Sequence, residues 1–161
     1  MMLNIVTTLI IGLLFTVLEE SVIFMISYIY LRTYAGGYHA KTQLRCYLFS
    51  ILILSAAFKA IKLVHLTDPG YFIITLCAVI IIILLAPLES ENKPFNKKEK
   101  AVYKKLTHII LGILTAIALI FWLSGSKQIS ISVTMALAVT ALMLVLGVVK
   151  SECMKKYRIE V

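Results

Sequence analysis

Charged side chains are scarce in this sequence. They make up 15% of its 161 residues, whereas 61% of the residues are hydrophobic and the mean hydropathy is +0.97. A soluble domain of this length cannot bury so much apolar surface, because its core volume is limited by its chain length. The shortage of charge therefore excludes a soluble globular protein and indicates a membrane protein.

Cysteines and metal-binding patterns are also few. Cys46, Cys77 and Cys153 offer no disulfide framework, because Cys77 falls in an apolar run and Cys153 in the polar tail. The three histidines are scattered and no His-Glu-x-x-His stretch is present, so neither a metal nor another cofactor is predicted. His65 and His108 lie near predicted helix ends and are interpreted as interfacial, while Cys77 and Cys153 are interpreted as inert.

Five long apolar runs account for the hydrophobic excess. Each is close to the ~20 residues that cross a bilayer's hydrocarbon core, and the first is longer. A backbone exposed to lipid must satisfy its own hydrogen bonds, so each run is predicted to be a helix. The sequence predicts an all-α, polytopic membrane protein of about five transmembrane helices (four to six), with short loops and a single domain over 1–161. The runs are 3–31, 44–66, 71–88, 106–123 and 129–149.

The pair Glu19-Glu20 interrupts the first run. It stands where small residues should precede a signal-peptide cleavage site, and no basic region comes before it, so the run is expected to belong to the mature protein. Carboxylates inside a span are costly unless they are paired. If the first two helices are antiparallel neighbours, Lys59 lies at the depth of Glu20 and Lys62 one turn further out. A structural Glu–Lys pair is favoured over outward-snorkelling lysines, and over a role in catalysis or transport.

Basic residues collect at alternate connections. Of the 16 lysines and arginines, 13 lie in 32–45, 93–105 and the tail from 150, while the opposite connections hold only Lys127. This pattern places the N-terminus outside and the C-terminus in the cytoplasm of a multi-pass protein of the plasma membrane. The net charge of +8 is therefore first a topology signal. Attraction to membrane lipid is secondary, and no nucleic-acid partner is predicted.

The segment 32–46 carries the candidate chemistry. It joins the first two predicted helices on the cytoplasmic side, and Cys46 opens the second helix, where the helix dipole favours a thiolate. The positive charges of Arg45 and Lys41 also lower the expected pKa of the Cys46 thiol. A thiol with a lowered pKa is a better nucleophile near neutral pH. His39, seven residues earlier, is the candidate base that activates it.

Direct contact between His39 and Cys46 requires a loop. In one continuous helix they would share a face but stand about 10 Å apart along the axis. Gly36-Gly37 permits such a loop, and amides there or at the helix start could bind an oxyanion. From the residues alone, an interfacial His and Cys beside a simple turn is the alternative. A non-catalytic transporter or sensor subunit for a peptide is the competing function.

Two motifs resemble those of a known family, the accessory gene regulator B (AgrB) family. The pattern R-x-x-A-G-G-x-H-A-x(6)-C resembles its signature, and a later A-P-x(4)-N-K-P stretch is similar to its second one. The resemblance covers about residues 20 to 150. The matched positions are Arg32, Ala35, Gly36, Gly37, His39, Ala40 and Cys46, followed by Ala86, Pro87, Asn92, Lys93 and Pro94.

The resemblance implies a membrane cysteine endopeptidase of peptide quorum sensing. Such enzymes cut a small AgrD-like precursor in the cytoplasm, hold its N-terminal part as an acyl-enzyme and release it as a thiolactone or lactone ring, the autoinducing peptide. By resemblance Cys46 is the nucleophile, His39 its base and Arg32 a substrate or structural contact. A homodimer is a further expectation from the family, although Gly112 and Gly147 form no G-x-x-x-G pair.

The connection 89–105 is predicted to be a polar elbow broken at Pro94. The removed tail of the family's precursors is usually acidic, so Lys97, Lys98 and Lys100 are candidate contacts for that tail. The alternative is that these lysines only fix topology and touch lipid head groups. Family members usually carry a few dozen more residues before the first motif, and the expectation is that substrate docking by such an extension is missing from this chain.

Overall fold

The fold is a bundle of α-helices. A computed structural model describes residues 2–14, 16–36, 43–63, 68–88 and 96–159, and every regular element within those ranges is an α-helix. The all-α prediction is confirmed. The helices are α1 (Met2–Leu14), α2 (Leu18–Ala35), α3 (Gln43–Leu63), α4 (Asp68–Leu85), α5 (Lys97–Leu123) and α6 (Lys127–Ile159).

Among the described residues, three helices are long and apolar enough to cross a membrane, and they confirm the three C-terminal predicted spans. These are α4, α5 and α6, while the part of α3 from 50 to 61 forms a shorter apolar helix. Apolar side chains also cover the outside of the bundle, as expected of a protein that faces lipid rather than water. The exposed ones include Phe72, Ile73, Leu76, Ile80 and Leu84 on α4, and Ile109, Ile113, Ile120 and Leu123 on α5.

The central helix is α6, which packs against α2, α3, α4 and α5. Its apolar span is 67% buried, against 22% for the spans of α4 and α5. Small side chains such as Ser130, Ala136 and Ala141 are fully or almost fully buried along it, and they let neighbouring backbones approach closely. The other helices are therefore arranged around α6.

The first predicted span is divided, which corrects the expectation of one continuous helix over 3–31. α1 ends at Leu14, and the amides of Thr16 and Val17 donate to the carbonyls of Leu13 and Gly12. These two bonds, with Thr16 at φ 58°, form the reversal that commonly closes a helix. α2 then starts at Leu18, and α1 packs against both α2 and α3.

The helix α5 starts before its apolar part, which corrects the prediction of a polar elbow through residue 105. The carbonyl of Asn96 accepts a hydrogen bond from the Lys100 amide at 2.9 Å, and the Glu99 carboxylate accepts one from the Asn96 amide at 3.0 Å. The second bond is half of a capping box, which satisfies an amide at a helix start. Residues 97–105 are therefore helical.

The bundle has two distinct ends. At one end, α2 and α4 finish and α5 begins; Ala35, Leu88 and Tyr103 mark it, and it is called the motif end below. At the other, called the far end, α4 and α6 begin and α5 finishes, and the Asp68 carboxylate lies 3.2 Å from the Lys127 ammonium. The described residues that flank the connection after α4 thus lie at the same end as the C-terminus of α2, and 68–70 and 124–128 share the other end.

The far end is closed by an aromatic and hydroxyl cluster. The Tyr71 and Trp122 rings stack with centroids 3.8 Å apart, and the Lys127 ammonium lies 4.7 Å from the Trp122 ring centroid. The Ser130 hydroxyl lies 2.6 Å from the Ala118 carbonyl oxygen and 2.7 Å from the Tyr71 hydroxyl. Because the carbonyl can only accept, the serine donates to it and the tyrosine donates to the serine. The hydroxyls of this cluster therefore satisfy one another.

Candidate functional site at the motif end

The C-terminus of α2 carries the first half of the first matched motif. Arg32 lies in the last turn of α2, where a positive charge is favourable beside the unpaired carbonyls of a helix end. Its Nη1 atom is 3.5 Å from the Gly36 carbonyl oxygen, and its guanidinium carbon lies 5.7 Å from the Tyr28 ring centroid. Arg32 thus lies against the end of its own helix, and its role as a substrate or structural contact stays a prediction.

Gly36 ends α2 in the left-handed region of backbone space. Its φ is +75°, a conformation that glycine adopts without a steric penalty, and its amide donates to the Arg32 carbonyl at 3.1 Å. A Cβ atom at this position would collide with the carbonyl oxygen of Leu88. Gly36 is therefore required both by its backbone angle and by a close neighbour.

The neighbour of Gly36, Leu88, directly follows the matched Ala86-Pro87 pair of the second motif. The Leu88 amide donates a 3.0 Å hydrogen bond to the Ala35 carbonyl, and this bond is called the Ala35–Leu88 contact below. Ala35 is fully buried, and Ala86 and Pro87 are buried beside it. The contact joins the end of α2 to the chain leaving α4, so the first and second motifs meet through their backbones.

Cys46 is the fourth residue of α3, which begins at Gln43. The sequence-based placement of this cysteine at the head of a helix is therefore confirmed for its backbone. The side chain of Cys46 lies outside the described part of the structure, and Gly37, His39 and Lys41 lie outside the described residues altogether. Contact between His39 and Cys46 stays a prediction.

The start of α5 approaches the same end of the bundle. The rings of Tyr34 on α2 and Tyr103 on α5 have centroids 5.9 Å apart, in a tilted arrangement. The predicted tail contacts Lys98 and Lys100 are exposed on this first part of α5, and Lys97 is its first residue. The structure thus places the candidate lysines at the same end as Arg32 and Gly36.

Glu19 and Glu20 lie in the first turn of α2 and not in the middle of a span. Carboxylates are favourable there because the helix dipole is positive at its N-terminus. Among the described side chains, neither glutamate forms an ion pair with Lys59, which is exposed on α3. The side chain of Lys62 lies outside the described part. The position of the two acids is therefore explained by the helix dipole, which the expectation of a Glu–Lys pair left out.

Other candidate groups are not gathered into a site. Among the described residues, no group of three or more His, Cys, Asp or Glu side chains could hold a metal ion. Cys77 is exposed on α4, and His108 lies on α5 with its Nδ1 atom 2.6 Å from the Lys104 carbonyl oxygen. His65 lies outside the described residues.

Sequence reasoning missed two residues of this end, Leu88 and Tyr103. Leu88 contributes its backbone amide, and a pattern of side chains in the sequence cannot predict which backbone amide will act as a donor. The available signal was the Ala86-Pro87 stretch, which resembled a family motif although its neighbour in the fold was unknown. Tyr103 falls in the predicted polar elbow 89–105, and its signal is the Asn96-x-x-Glu99 capping pattern, which starts the helix ahead of it.

Known proteins resemble this chain over most of its length. A family model described as "Accessory gene regulator B" matches residues 1–146. An AgrB-like protein of Clostridium perfringens (strain SM101 / Type A) is 30% identical over 121 residues, 71% of this chain and 56% of that protein. AgrB-like protein 2 of Clostridium perfringens (strain 13 / Type A) is 26% identical over 152 residues, 85% of this chain and 71% of that protein.

A further relative is protein FsrB of Enterococcus faecalis (strain ATCC 47077 / OG1RF). It is 32% identical over 113 residues, which are 69% of this chain and 47% of FsrB. The matched part of the chain thus spans about half the length of two of these relatives. No solved structure matches the chain.

Proposed function

Because the chain belongs to the accessory gene regulator B family, we propose that it is a membrane cysteine endopeptidase of peptide quorum sensing. Its substrate is a small AgrD-like precursor peptide, which it cuts on the cytoplasmic side of the bacterial plasma membrane. Cys46 is the nucleophile and His39 is the base. The cleaved N-terminal part is then cyclised to an autoinducing peptide.

One observation carries this proposal. A cysteine stands in the first turn of α3, directly after a short segment that contains the histidine and follows the glycine end of α2. The amides at a helix start favour negative charge, which a thiolate nucleophile and an oxyanion both carry. On the other side of that segment, the end of α2 carries Arg32, Ala35 and Gly36, which match the same family motif. Two helix ends therefore frame the proposed nucleophile and base.

The chemistry divides into two transfers of one acyl group. The Cys46 thiolate attacks the scissile carbonyl, and the protonated His39 gives its proton to the departing amine of the tail. The product is a thioester between Cys46 and the N-terminal part. A thiol or hydroxyl within that part then gives its proton to the neutral His39 and attacks the thioester carbonyl. The ring closes, and Cys46 leaves as a thiolate beside the protonated His39.

Ring closure must compete with hydrolysis of the thioester. The internal nucleophile is tethered to the acyl group, so its effective concentration far exceeds that of an untethered one. A site at the membrane surface also limits the access of water. Transfer from one thiol to another is nearly isoenergetic, so departure of the cleaved tail or export of the ring drives the reaction forward.

The lysines at the start of α5 are the proposed contacts for the acidic tail. Lys98 and Lys100 are exposed at the motif end, and Lys97 begins the helix that carries them. If the negatively charged tail binds to these lysines, the peptide bond upstream of the tail remains available for attack by Cys46. The simpler role for these lysines is to anchor the helix at lipid head groups. The two roles differ in their dependence on the charge of the tail.

The proposed orientation places the motif end in the cytoplasm, because the basic residues are concentrated there. It is tested in intact cells with a chain whose native cysteines are replaced by serine. An impermeant maleimide should label Ser126→Cys at the far end but not Lys98→Cys at the motif end, and both positions are exposed. Labelling of the second position alone would reverse the orientation.

The decisive experiment compares cysteines. The protein in nanodiscs is incubated with a synthetic precursor, and the products and any acyl-enzyme are measured by mass spectrometry. Cys46→Ala should abolish cleavage and the acyl adduct, while Cys77→Ala, on the lipid-facing surface of α4, should retain both. A non-catalytic transporter or sensor subunit would bind the precursor equally well with either substitution and cleave it with neither.

A further inference from the structure

The Ala35–Leu88 contact has a role beyond ordinary packing. We propose that residues 86–88 are a positioning segment: their contact with Ala35 and Gly36 fixes where the chain leaves α2 on its way to His39, and so holds the base within reach of Cys46. This inference rests on the proposed function. It assigns a task to the second family motif that is separate from substrate binding.

The first argument is hydrogen bonding. The last carbonyls of a helix have no partner within the helix and need one from elsewhere. The Ala35 carbonyl finds it in the Leu88 amide at 3.0 Å, 53 positions further along the chain. Ala35 has no exposed surface, and the Leu88 side chain packs into the same apolar cluster as Ala35. The end of α2 is thus held by a half-buried partner that packs against the same cluster.

The second argument is the fit around Gly36. A Cβ atom there would meet the backbone carbonyl of Leu88, which cannot rotate away as a side chain could. Gly125 supplies a matched comparison at the far end: its φ of +86° is similar, but a Cβ atom added there would have no heavy atom within 4 Å. Alanine therefore meets a positive φ at both glycines and a collision only at Gly36.

The third argument is reach. His39 is three residues beyond Gly36, and three residues span at most about 11 Å. An anchor at Gly36 therefore restricts the volume that the imidazole can occupy relative to the head of α3. Catalysis is sensitive to such placement, because an error of about 1 Å can cost about 100-fold in rate. Loosening the anchor should lower kcat more than it raises KM.

The first test compares Gly36→Ala with Gly125→Ala. Gly36→Ala is expected to lower kcat for precursor cleavage by about 100-fold with KM within about twofold, and Gly125→Ala to leave both nearly unchanged. The emission of Trp122, the single tryptophan, reports whether the far end stays folded. Equal kcat values for the two variants, with the wild type active, would overturn the inference.

The second test separates the Leu88 amide from its side chain. Leu88→Pro removes the donor of the contact and should lower kcat about as much as Gly36→Ala does. Leu88→Ala keeps the amide and should stay within about threefold of the wild type. If Leu88→Ala loses as much activity as Leu88→Pro while Trp122 emission is unchanged, side-chain packing and not the contact is what matters, and the inference is wrong.

The third test detects the contact without any reference to activity. In a chain whose native cysteines are replaced by serine, Ala35→Cys and Leu88→Cys should form a disulfide under mild oxidation, and adding Gly36→Ala should reduce its yield. The control pair is Ala35→Cys with Leu84→Cys, because Leu84 is 74% exposed and faces away from the bundle. No excess of the first disulfide over the control would refute the contact. Crosslinking in this chain, combined with a wild-type protein that never cleaves the precursor, would refute the proposed function instead.

Discussion

The two ends of the bundle are held together in different ways. The far end is closed by side chains: Tyr71 stacks on Trp122, the hydroxyl of Ser130 joins two helices, and Asp68 pairs with Lys127. The motif end is held by backbone, through the Ala35–Leu88 contact and a glycine that fits against a carbonyl. Exposed lysines then continue beyond it on α5.

This difference predicts that the far end determines the stability of the bundle and that the motif end determines its proposed cleavage activity. Side-chain clusters stabilise a bundle by using the polar groups that they contain, whereas a backbone contact positions a segment without using any polar side chain. Substitutions at the far end should therefore change the free energy of unfolding, and substitutions at the motif end should change cleavage. Four measurements test this division, from the largest expected effect to the smallest.

The first concerns the proposed base. His39→Ala should lower kcat by about 10³-fold, because loss of a positioned general base typically costs 10²- to 10⁴-fold. His108→Ala is the matched control, since His108 lies on α5 with only a carbonyl oxygen as its described hydrogen-bond partner. The measurement is precursor cleavage in nanodiscs, with unfolding in SDS as the stability readout. A large loss from His108→Ala and none from His39→Ala would reverse the assignment.

The second concerns the aromatic stack at the far end. Tyr71→Ala should lower the free energy of unfolding by about 3 kcal/mol, because it leaves a cavity beside Trp122 where the ring now packs. Tyr71→Phe keeps the ring and should cost only about 0.6 kcal/mol, the usual value of one hydrogen bond between helices in a membrane. Circular dichroism during SDS unfolding measures both. Loss of kcat in folded Tyr71→Phe would break the division between the ends.

The third concerns the lysines of α5. Reversing Lys97, Lys98 and Lys100 to glutamate should raise KM for an acidic-tailed precursor about tenfold while kcat stays within about twofold, because binding is lost and chemistry is not. The effect should shrink as salt rises, since exposed charges are screened beyond about 8–10 Å at physiological ionic strength. Neutral lipid and a precursor with a neutral tail are the controls. If the triple variant treats both precursors as the wild type does, the lysines are only a topology anchor.

The smallest effect is expected at the exposed pair between Asp68 and Lys127. Their side chains are 65% and 54% exposed, so Asp68→Asn should change the free energy of unfolding by less than about 0.5 kcal/mol. Precursor cleavage should be unaffected. The same SDS titration measures it, and a loss above about 2 kcal/mol would show that this pair, and not the aromatic stack, closes the far end.

Much of the fold could be predicted because hydrophobicity alone decides it. The runs 71–88, 106–123 and 129–149 correspond to α4, α5 and α6, since a span is defined by its apolar length. The helix boundaries predicted from composition were wrong where local hydrogen bonds decide the backbone conformation. Thr16 turns the chain inside an apolar run, and Asn96 with Glu99 starts a helix inside a polar one.

The candidate site could be predicted only in part for the same reason. Motif spacing located Arg32, Gly36 and Cys46 at helix ends, because residue types at fixed intervals are visible in a sequence. The partner of Gly36 could not be found in this way. Leu88 contributes an amide that any residue except proline possesses, and its proximity is created by the packing of α2, α4 and α6.

The Ala35–Leu88 contact also orders events in time. The amide that donates to the carbonyl at the end of α2 is synthesised about 50 residues later. A growing chain therefore cannot complete the motif end until α3 and α4 have been made. At synthesis rates of about 5–20 residues per second, that delay is roughly 3 to 10 seconds. During it, Cys46 has already been synthesised while the segment before it lacks its anchor. The proposed site therefore cannot be completed until the second motif has been translated.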